Sequence, residues 1–479
     1  MTDYRLLPFR FLPFEGERML LVNETGEHLF TSRADLVALV GHELPKDSPL
    51  FADLKAKHFV FDSHSLAPFE LLVAKYRTRK SFLDGFTRLN IFVVSLRCEH
   101  SCHYCQVSRV SSDRVRYDMS EETARRALAL VFRSPAPELK IEFQGGEPLL
   151  NFERIQQIVL EAEVRAQSSG RRVEFVVTTN LALLDDVMLE FFRAHGVILS
   201  TSLDGPADIH DANRPRPGND SHARVVSNLA RARAVLGRDA IGALTTITRI
   251  ALDRPIDVVD EYVRLGFTSI FLRPLSPYGF ALRSARTTGY STRDFLDFYV
   301  RALDYLIELN AAGTFLVESY AQLLLTRMLT PFPTGYVDLQ SPAGAGVGAV
   351  VYNYDGDVYA SDEARMLAEM GDTRFRLGNV HRDDYSSIFG GEPLRSITAA
   401  SVIESTPGCA DCAFQTWCGA DPVFHYATQG DIVPHIPSSA FHEKHVFLFK
   451  HLLSLYEHDP RARRVFWSWV RNEPLAEVA

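Results

Sequence analysis

The sequence predicts an α/β chain organised round a parallel sheet, with a hairpin–helix unit before it and a cysteine-bearing unit after it. Three observations carry that expectation. Short apolar, β-branched runs recur six times between residues 91 and 272. Segments with helical periodicity separate them, and such alternation gives parallel strands joined by right-handed crossovers. Composition is ordinary for a globular chain, with 46% hydrophobic and 23% charged residues, which excludes a disordered chain, a collagen-like repeat and a coiled-coil rod. A length of 479 residues suits two or three domains.

The elements follow in order. Residues 18–22 and 27–31 flank Asn23-Glu24-Thr25-Gly26, a hairpin signal, and residues 32–40 and 49–58 read as short helices. Residues 91–96 (IFVVSL) form a continuous apolar run, as expected of a strand buried on both faces. Residues 118–132 read as a helix, with Ser120 as N-cap and Glu121 and Glu122 in its first turn. Residues 139–144 are the second strand. Helices at 152–167, 184–194, 223–236 and 257–265 lead to strands at 173–178, 197–202, 240–249 and 269–272. Residues 295–309 come closest to a membrane span, but Asp297, Arg301, Asp304 and Glu308 break the run into an amphipathic helix.

Net charge is −9, so a whole-protein basic footprint for nucleic acid is absent. Two arginines and two prolines interrupt the first apolar residues, unlike a signal peptide. A cytoplasmic protein with no nucleic-acid or membrane partner is expected.

The six cysteines fall in two tight groups. Cys98, Cys102 and Cys105 lie in LRCEHSCHYCQVSR, and Cys409, Cys412 and Cys418 in GCADCAFQTWCG. Such clusters in a large chain without export signals point to metal rather than disulfides. Two chemistries fit the first group. A structural zinc would take three thiolates with His100 or His103. An iron–sulfur cluster held by three thiolates would leave one iron open to a ligand. Directly after the second strand comes Gly145-Gly146-Glu147-Pro148. Two glycines let a backbone approach a ligand, and a carboxylate accepts hydrogen bonds from an ammonium group. A plain turn is the alternative. Thr178, Thr179 and Asn180 end the third strand, Ser200, Ser202 and Asp204 the fourth, and Arg273 the sixth. Capping or surface pairing is the alternative for each of these polar residues.

The spacing Cys-x3-Cys-x2-Cys, with Tyr104 before the last cysteine, resembles the signature of the radical S-adenosylmethionine (radical SAM) superfamily. The glycine-rich tetrapeptide occupies the place of that family's GGEP motif. The resemblance implies a partial (β/α)6 barrel and a four-iron four-sulfur (4Fe-4S) cluster on Cys98, Cys102 and Cys105. Its open iron chelates S-adenosylmethionine and is the site of its reductive cleavage. It further implies cofactor-binding roles for Tyr104, Gly145, Gly146, Glu147, Pro148, Thr179, Asn180, Ser202, Asp204 and Arg214, the last facing the methionine carboxylate. Arg273 would contact adenosine or substrate.

The second group resembles the middle of the SPASM domain, which holds two auxiliary clusters in peptide-modifying relatives. Ser341 and Ser361 stand where that pattern has cysteines, and Pro422 replaces the cysteine four positions after Cys418. The first auxiliary cluster would be lost. A second, on Cys409, Cys412 and Cys418, would take His442 as fourth ligand, with His445, Asp421, Asp362 or no protein ligand as competitors. A Cys3His zinc site is the alternative.

Together with LPFRF, IEFQGGEPLLNF, LRPLSPYGFA and VYNYDGDVYASDEARM, these motifs resemble the radical SAM maturases of the His-Xaa-Ser system. That resemblance implies a ribosomally made precursor peptide with His-Xaa-Ser repeats, crosslinked or otherwise oxidised. It also implies a second radical SAM maturase as partner and an electron donor such as flavodoxin or ferredoxin. The expected units are a leader-recognition-like domain at 1–85, resembling a small winged helix, the partial barrel at 86–320, the SPASM-like unit at 321–455 and a tail at 456–479. A peptide-binding scaffold for a partner maturase and a sulfatase-type protein-activating enzyme are the rival readings.

Overall fold

Six strands run parallel and side by side in chain order: Leu89–Ser95, Glu138–Gly145, Arg172–Thr178, Ile198–Ser202, Ile241–Thr246 and Leu272–Arg273. They are referred to as the first to sixth barrel strands. The computed structural model describes residues 4–62, 65–107, 109–110 and 113–475. Residues 1–3 and 63–64 of the expected N-terminal unit, 108 and 111–112 of the barrel and 476–479 of the tail lie outside the described residues.

Burial explains the strands. Phe92, Val93 and Val94 have no exposed surface, because helices cover one face and the barrel interior the other. The crossover helices Glu121–Val131, Phe152–Ser169, Asp186–Ala194, Ser221–Leu236 and Pro255–Arg264 each turn apolar residues inward, such as Ile155, Ile158, Val159 and Ala162. Ser120 caps the first of them by accepting from Thr123 N at 3.1 Å, as its sequence predicts.

The barrel stays open. On its far edge the first strand pairs parallel with Ala349–Tyr352, which continues antiparallel through Asp357–Tyr359 to Arg376–Asn379. The sheet therefore has nine strands and is a partial barrel.

Two strands differ from expectation. The fifth ends at Thr246 rather than residue 249, where Thr248 leaves the ladder and donates its hydroxyl to Asn213 Oδ1 at 2.8 Å. The run at 269–272 splits at Phe271. Ser269–Ile270 pairs with Val317–Glu318, and Leu272–Arg273 pairs with the fifth strand. Glu318 holds the junction by accepting from Leu272 N at 3.2 Å.

At the N-terminal end, Arg18–Asn23 and His28–Ser32 form the expected hairpin, with Phe9–Pro13 as a third antiparallel strand. Asn23 Oδ1 accepts from Thr25 N and Glu27 N at 2.9 and 3.1 Å and sets the turn. Helices Arg33–Val40 and Pro49–Ala56 close a small core with Leu21, Leu36, Leu39 and Phe59. No helix among the described residues is long and apolar enough to cross a membrane.

Candidate active site

The C-terminal ends of the barrel strands surround a cavity of about 270 Å³. Cys98, Cys102 and Cys105 all line it. They sit on the loop that follows the first strand. That loop is tied to its surroundings by backbone bonds from Ser101 to Pro215 at 2.7 Å and from His103 to Asn213 at 3.1 Å.

Glycines let other segments close on this loop. Gly145 has φ +149, and a Cβ there would stand 1.9 Å from the Ser95 carbonyl. A Cβ on Gly146 would meet the carbonyls of Arg97 and Leu96 at 2.3 and 2.5 Å. Instead Gly146 N and Glu147 N donate to Ser95 and Arg97 carbonyls at 2.8 and 2.7 Å. From the other side Phe280 N donates to the Cys105 carbonyl at 2.8 Å, and Gly279 has φ +58 with no room for a side chain.

Gly145, Gly146, Thr179, Asn180, Ser202, Arg214 and Arg273 line the same cavity as the cysteines. Glu147 is placed differently. It has no exposed surface and lies beneath the wall, where its carboxylate accepts from Thr179 Oγ1 at 2.7 Å, Asn180 N at 2.8 Å and Leu149 N at 3.1 Å. Burial, then the nearby Glu99 charge, raise its pKa to about 8. Pro148, also buried, opens the turn Pro148–Asn151 beside it.

Asp204 is a second buried anchor. It accepts from the Tyr104 hydroxyl at 2.7 Å, Arg214 Nε at 3.0 Å and Thr246 N at 3.2 Å. Burial opposes its charge, but Arg214 beside it holds its pKa below the usual range. The Arg214 guanidinium stands 5.2 Å from the Tyr104 ring centroid.

Other residues of the site carry no motif signal. Arg97 clamps Asp118 through Nε at 2.7 Å and Nη2 at 2.6 Å. Asp362 lines the cysteine cavity and accepts from Arg365 Nε at 2.9 Å. Asp118 lies 21 residues from Arg97, so the fold reveals that pair.

Geometry favours a cluster over zinc at the first triplet. Tetrahedral zinc with Zn–S of about 2.3 Å sets its sulfurs about 3.8 Å apart. Among the described residues, the only three ligand atoms within 4.8 Å of one another belong to Cys98, Glu99 and His100. His100 has both ring nitrogens engaged, with Glu99 Oε1 at 3.0 Å and Ser221 Oγ at 2.9 Å. Three thiols spread round one cavity suit a polynuclear cluster.

The second triplet lies in a turn-rich segment held by Arg327, which donates to the carbonyls of Trp417 at 2.6 Å and Cys418 at 3.3 Å. Among the described residues, no set of three ligand atoms within 4.8 Å includes these cysteines or His442. His442 is half-buried at the start of helix Ala440–His458. His445 is engaged on both nitrogens, by Tyr320 and the Phe441 carbonyl. Asp421 caps helix Pro422–Gln429. The two serines in the place of cysteines have other work: Ser361 caps helix Asp362–Glu369, and Ser341 bonds Glu404 and Ile403 N.

Residues 92–252 match the Radical SAM superfamily. Among curated relatives, an uncharacterized protein of Methanocaldococcus jannaschii is 31% identical over 41% of this chain and 65% of its own length. The serine-type anaerobic sulfatase-maturating enzyme of Bacteroides thetaiotaomicron is 20% identical over 69% of this chain and 80% of its own. The chain thus spans just under two thirds of the first relative and four fifths of the second. Among solved structures, native anSMEcpe with bound AdoMet and Kp18Cys peptide superposes with a TM-score of 0.63 at 18% identity, covering 79% of this chain and 99% of that one. Streptococcus suis SuiB bound to precursor peptide SuiA gives 0.50 at 13%, covering 89% and 96%. Residues 92–252 thus form a radical SAM domain, the chain is similar in sequence to anaerobic sulfatase-maturating enzymes, and its fold is shared with anSMEcpe and SuiB.

Proposed function

We propose that this chain is a radical SAM enzyme that modifies a ribosomally made precursor peptide, of the type that serves the His-Xaa-Ser system. One observation carries the reading. Three thiols with the family's spacing share one cavity with Gly145, Gly146, Ser202 and Arg214, at the strand ends where ligands of such sheets bind. Cys98, Cys102 and Cys105 would hold a 4Fe-4S cluster, and the cavity would hold S-adenosylmethionine. When bound, the pair supplies a 5′-deoxyadenosyl radical that takes a hydrogen atom from the substrate.

The chain's own residues do the rest. Arg214, fixed by Asp204, presents a guanidinium to a carboxylate. Glu147 holds the Thr179 hydroxyl and the Asn180 backbone N–H on the cavity wall.

Cys409, Cys412 and Cys418 would bind an auxiliary cluster that takes up the second electron, with His442 as fourth ligand. An electron donor such as flavodoxin or ferredoxin and a second radical SAM maturase complete the proposed system, in the cytoplasm. The unit at 1–85 would receive the peptide's leader, with the barrel at 86–320 and the auxiliary unit at 321–455.

The test is co-expression with a His-Xaa-Ser repeat peptide followed by mass spectrometry. A mass loss of hydrogen on the peptide, dependent on Cys102, supports the reading. The sulfatase-type alternative is favoured by the similarity to the Bacteroides enzyme. Modification of a co-expressed sulfatase with an unaltered peptide would establish it instead.

A further inference from the structure

Beside the cysteine cavity lies a second chamber of about 300 Å³. The two share residues 273–276 as a common wall. Five charged side chains line the second chamber: Asp338, Glu363 and Asp421 against Arg273 and Lys444. Three carboxyl groups face two cationic side chains, one acidic group more than the basic ones. No ion pair within 4.0 Å joins any two of the five among the described residues. Asp421 uses only Oδ1 to cap its helix, accepting from Val423 N and Phe424 N at 3.1 and 3.0 Å. Lys444 is turned to aromatic faces, 5.1 Å from the Tyr320 centroid and 5.9 Å from that of Phe441.

The carboxylates crowd one another. Burial holds all three above the ordinary carboxylate range; repulsion from Asp338 adds to it at Glu363 and Asp421, whereas Lys444 and Arg273 work against it at Asp338. An independent feature points to a missing guest. Tyr278 is 1% exposed, and its hydroxyl has no hydrogen-bond partner. It stands in the field of Asp421, Glu363 and Asp338. A buried hydroxyl left unpaired costs about 1–3 kcal/mol.

The geometry points to this chamber as the receptor for a cationic side chain, arginine or lysine, of the peptide substrate. The third carboxyl group, which a cation entering the chamber would ionise, supplies charge, Tyr278 supplies a free acceptor, and Tyr320, Tyr336 and Phe441 supply faces for a cation. The shared wall then sets a neighbouring residue of the peptide beside the cysteine cavity. The inference rests on the peptide-modifying reading proposed above and adds a sequence requirement to it.

The experiment uses the reconstituted full-length protein with S-adenosylmethionine. The probes are Nα-acetyl-arginine methylamide and its neutral isostere Nα-acetyl-citrulline methylamide, titrated by calorimetry or saturation-transfer NMR. The arginine probe is expected to bind about tenfold tighter. Glu363→Gln should abolish that preference, and Tyr278→Phe should reduce it about threefold. Circular dichroism checks both folds, and Tyr278→Phe decides if Glu363→Gln does not fold. Equal binding of the two probes, or an intact preference in the folded variants, overturns the inference. Deoxyadenosine formation is followed in the same wild-type preparation. If it forms without an arginine preference, the chamber proposal fails alone. If none forms, the reading beneath it fails.

Discussion

The Tyr104 hydroxyl donates to Asp204 Oδ2 across 2.7 Å and joins the cysteine loop to the end of the fourth barrel strand. The same carboxylate carries Arg214, so one buried anion positions both a loop residue and the guanidinium of the cavity. Asp204→Asn leaves Arg214 buried without its counter-charge. The expected cost is about 3–5 kcal/mol in urea unfolding. Tyr104→Phe removes one hydrogen bond and should cost about 1–2 kcal/mol. Equal costs for the two variants would contradict the shared-anchor account.

Gly146→Ala should empty the first cluster site. Its Cβ would fall 2.3 Å from the Arg97 carbonyl, and that backbone leads directly into Cys98. Gly242→Ala is the control, since nothing stands within 4 Å of its Cβ position. Iron bound after anaerobic reconstitution is the measurement. The first variant should lose about half of the wild-type iron or more, and the second none.

Stability should fall on acidification through His210. It has no exposed surface, and burial lowers its pKa to about 3, although Asp204 works the other way. Its Nδ1 accepts from Asp204 N at 3.3 Å, so the neutral ring is the one that fits. The unfolded chain takes up a proton near pH 6.5 that the native chain refuses, so stability is present above that pH and declines as pH drops toward 3. At pH 5 the loss from this group is about 2 kcal/mol. Urea midpoints at pH 7.5 and 5 should differ less in His210→Asn than in wild type.

Much of the site was legible from short motifs. Cys98, Cys102, Cys105 and Gly145–Gly146 carry their chemistry within a few residues, and the strand-ending residues Thr179, Ser202 and Arg273 follow from periodicity. What could not be read depends on distant pairing. Tyr104 and Asp204 are 100 residues apart in sequence, and nothing local marks them as partners. The second chamber draws Asp338, Glu363, Asp421 and Lys444 from four separate segments. Strand Ala349–Tyr352 reads as part of the later unit, yet it extends the barrel sheet beside Leu89–Ser95. Nor does the sequence show that the Glu147 carboxylate bonds the Thr179 hydroxyl and Asn180 N, more than thirty residues away.

The N-terminal hairpin docks on the second cysteine segment. Trp417 Nε1 donates to the Gly26 carbonyl at 3.0 Å, and Thr416 Oγ1 to that of Asn23 at 3.1 Å. Gly26 has φ +83, and its Cβ position is 2.4 Å from Arg79 Nη2 and 2.8 Å from Trp417 Nε1. Gly26→Ala should therefore lower the melting temperature and speed proteolysis between the N-terminal unit and the barrel. Gly16→Ala carries strain alone, at φ +59 with nothing within 4 Å, and should cost only about 1 kcal/mol. Matching effects of the two substitutions would mean that the docking contributes nothing.

The most direct test of the radical SAM reading is 5′-deoxyadenosine formation. Wild-type protein and Cys102→Ala are reconstituted anaerobically and given dithionite and S-adenosylmethionine. The account predicts steady deoxyadenosine production by the wild type and none by Cys102→Ala. Production at equal rates by both proteins, or by neither after iron loading has been verified, would contradict it.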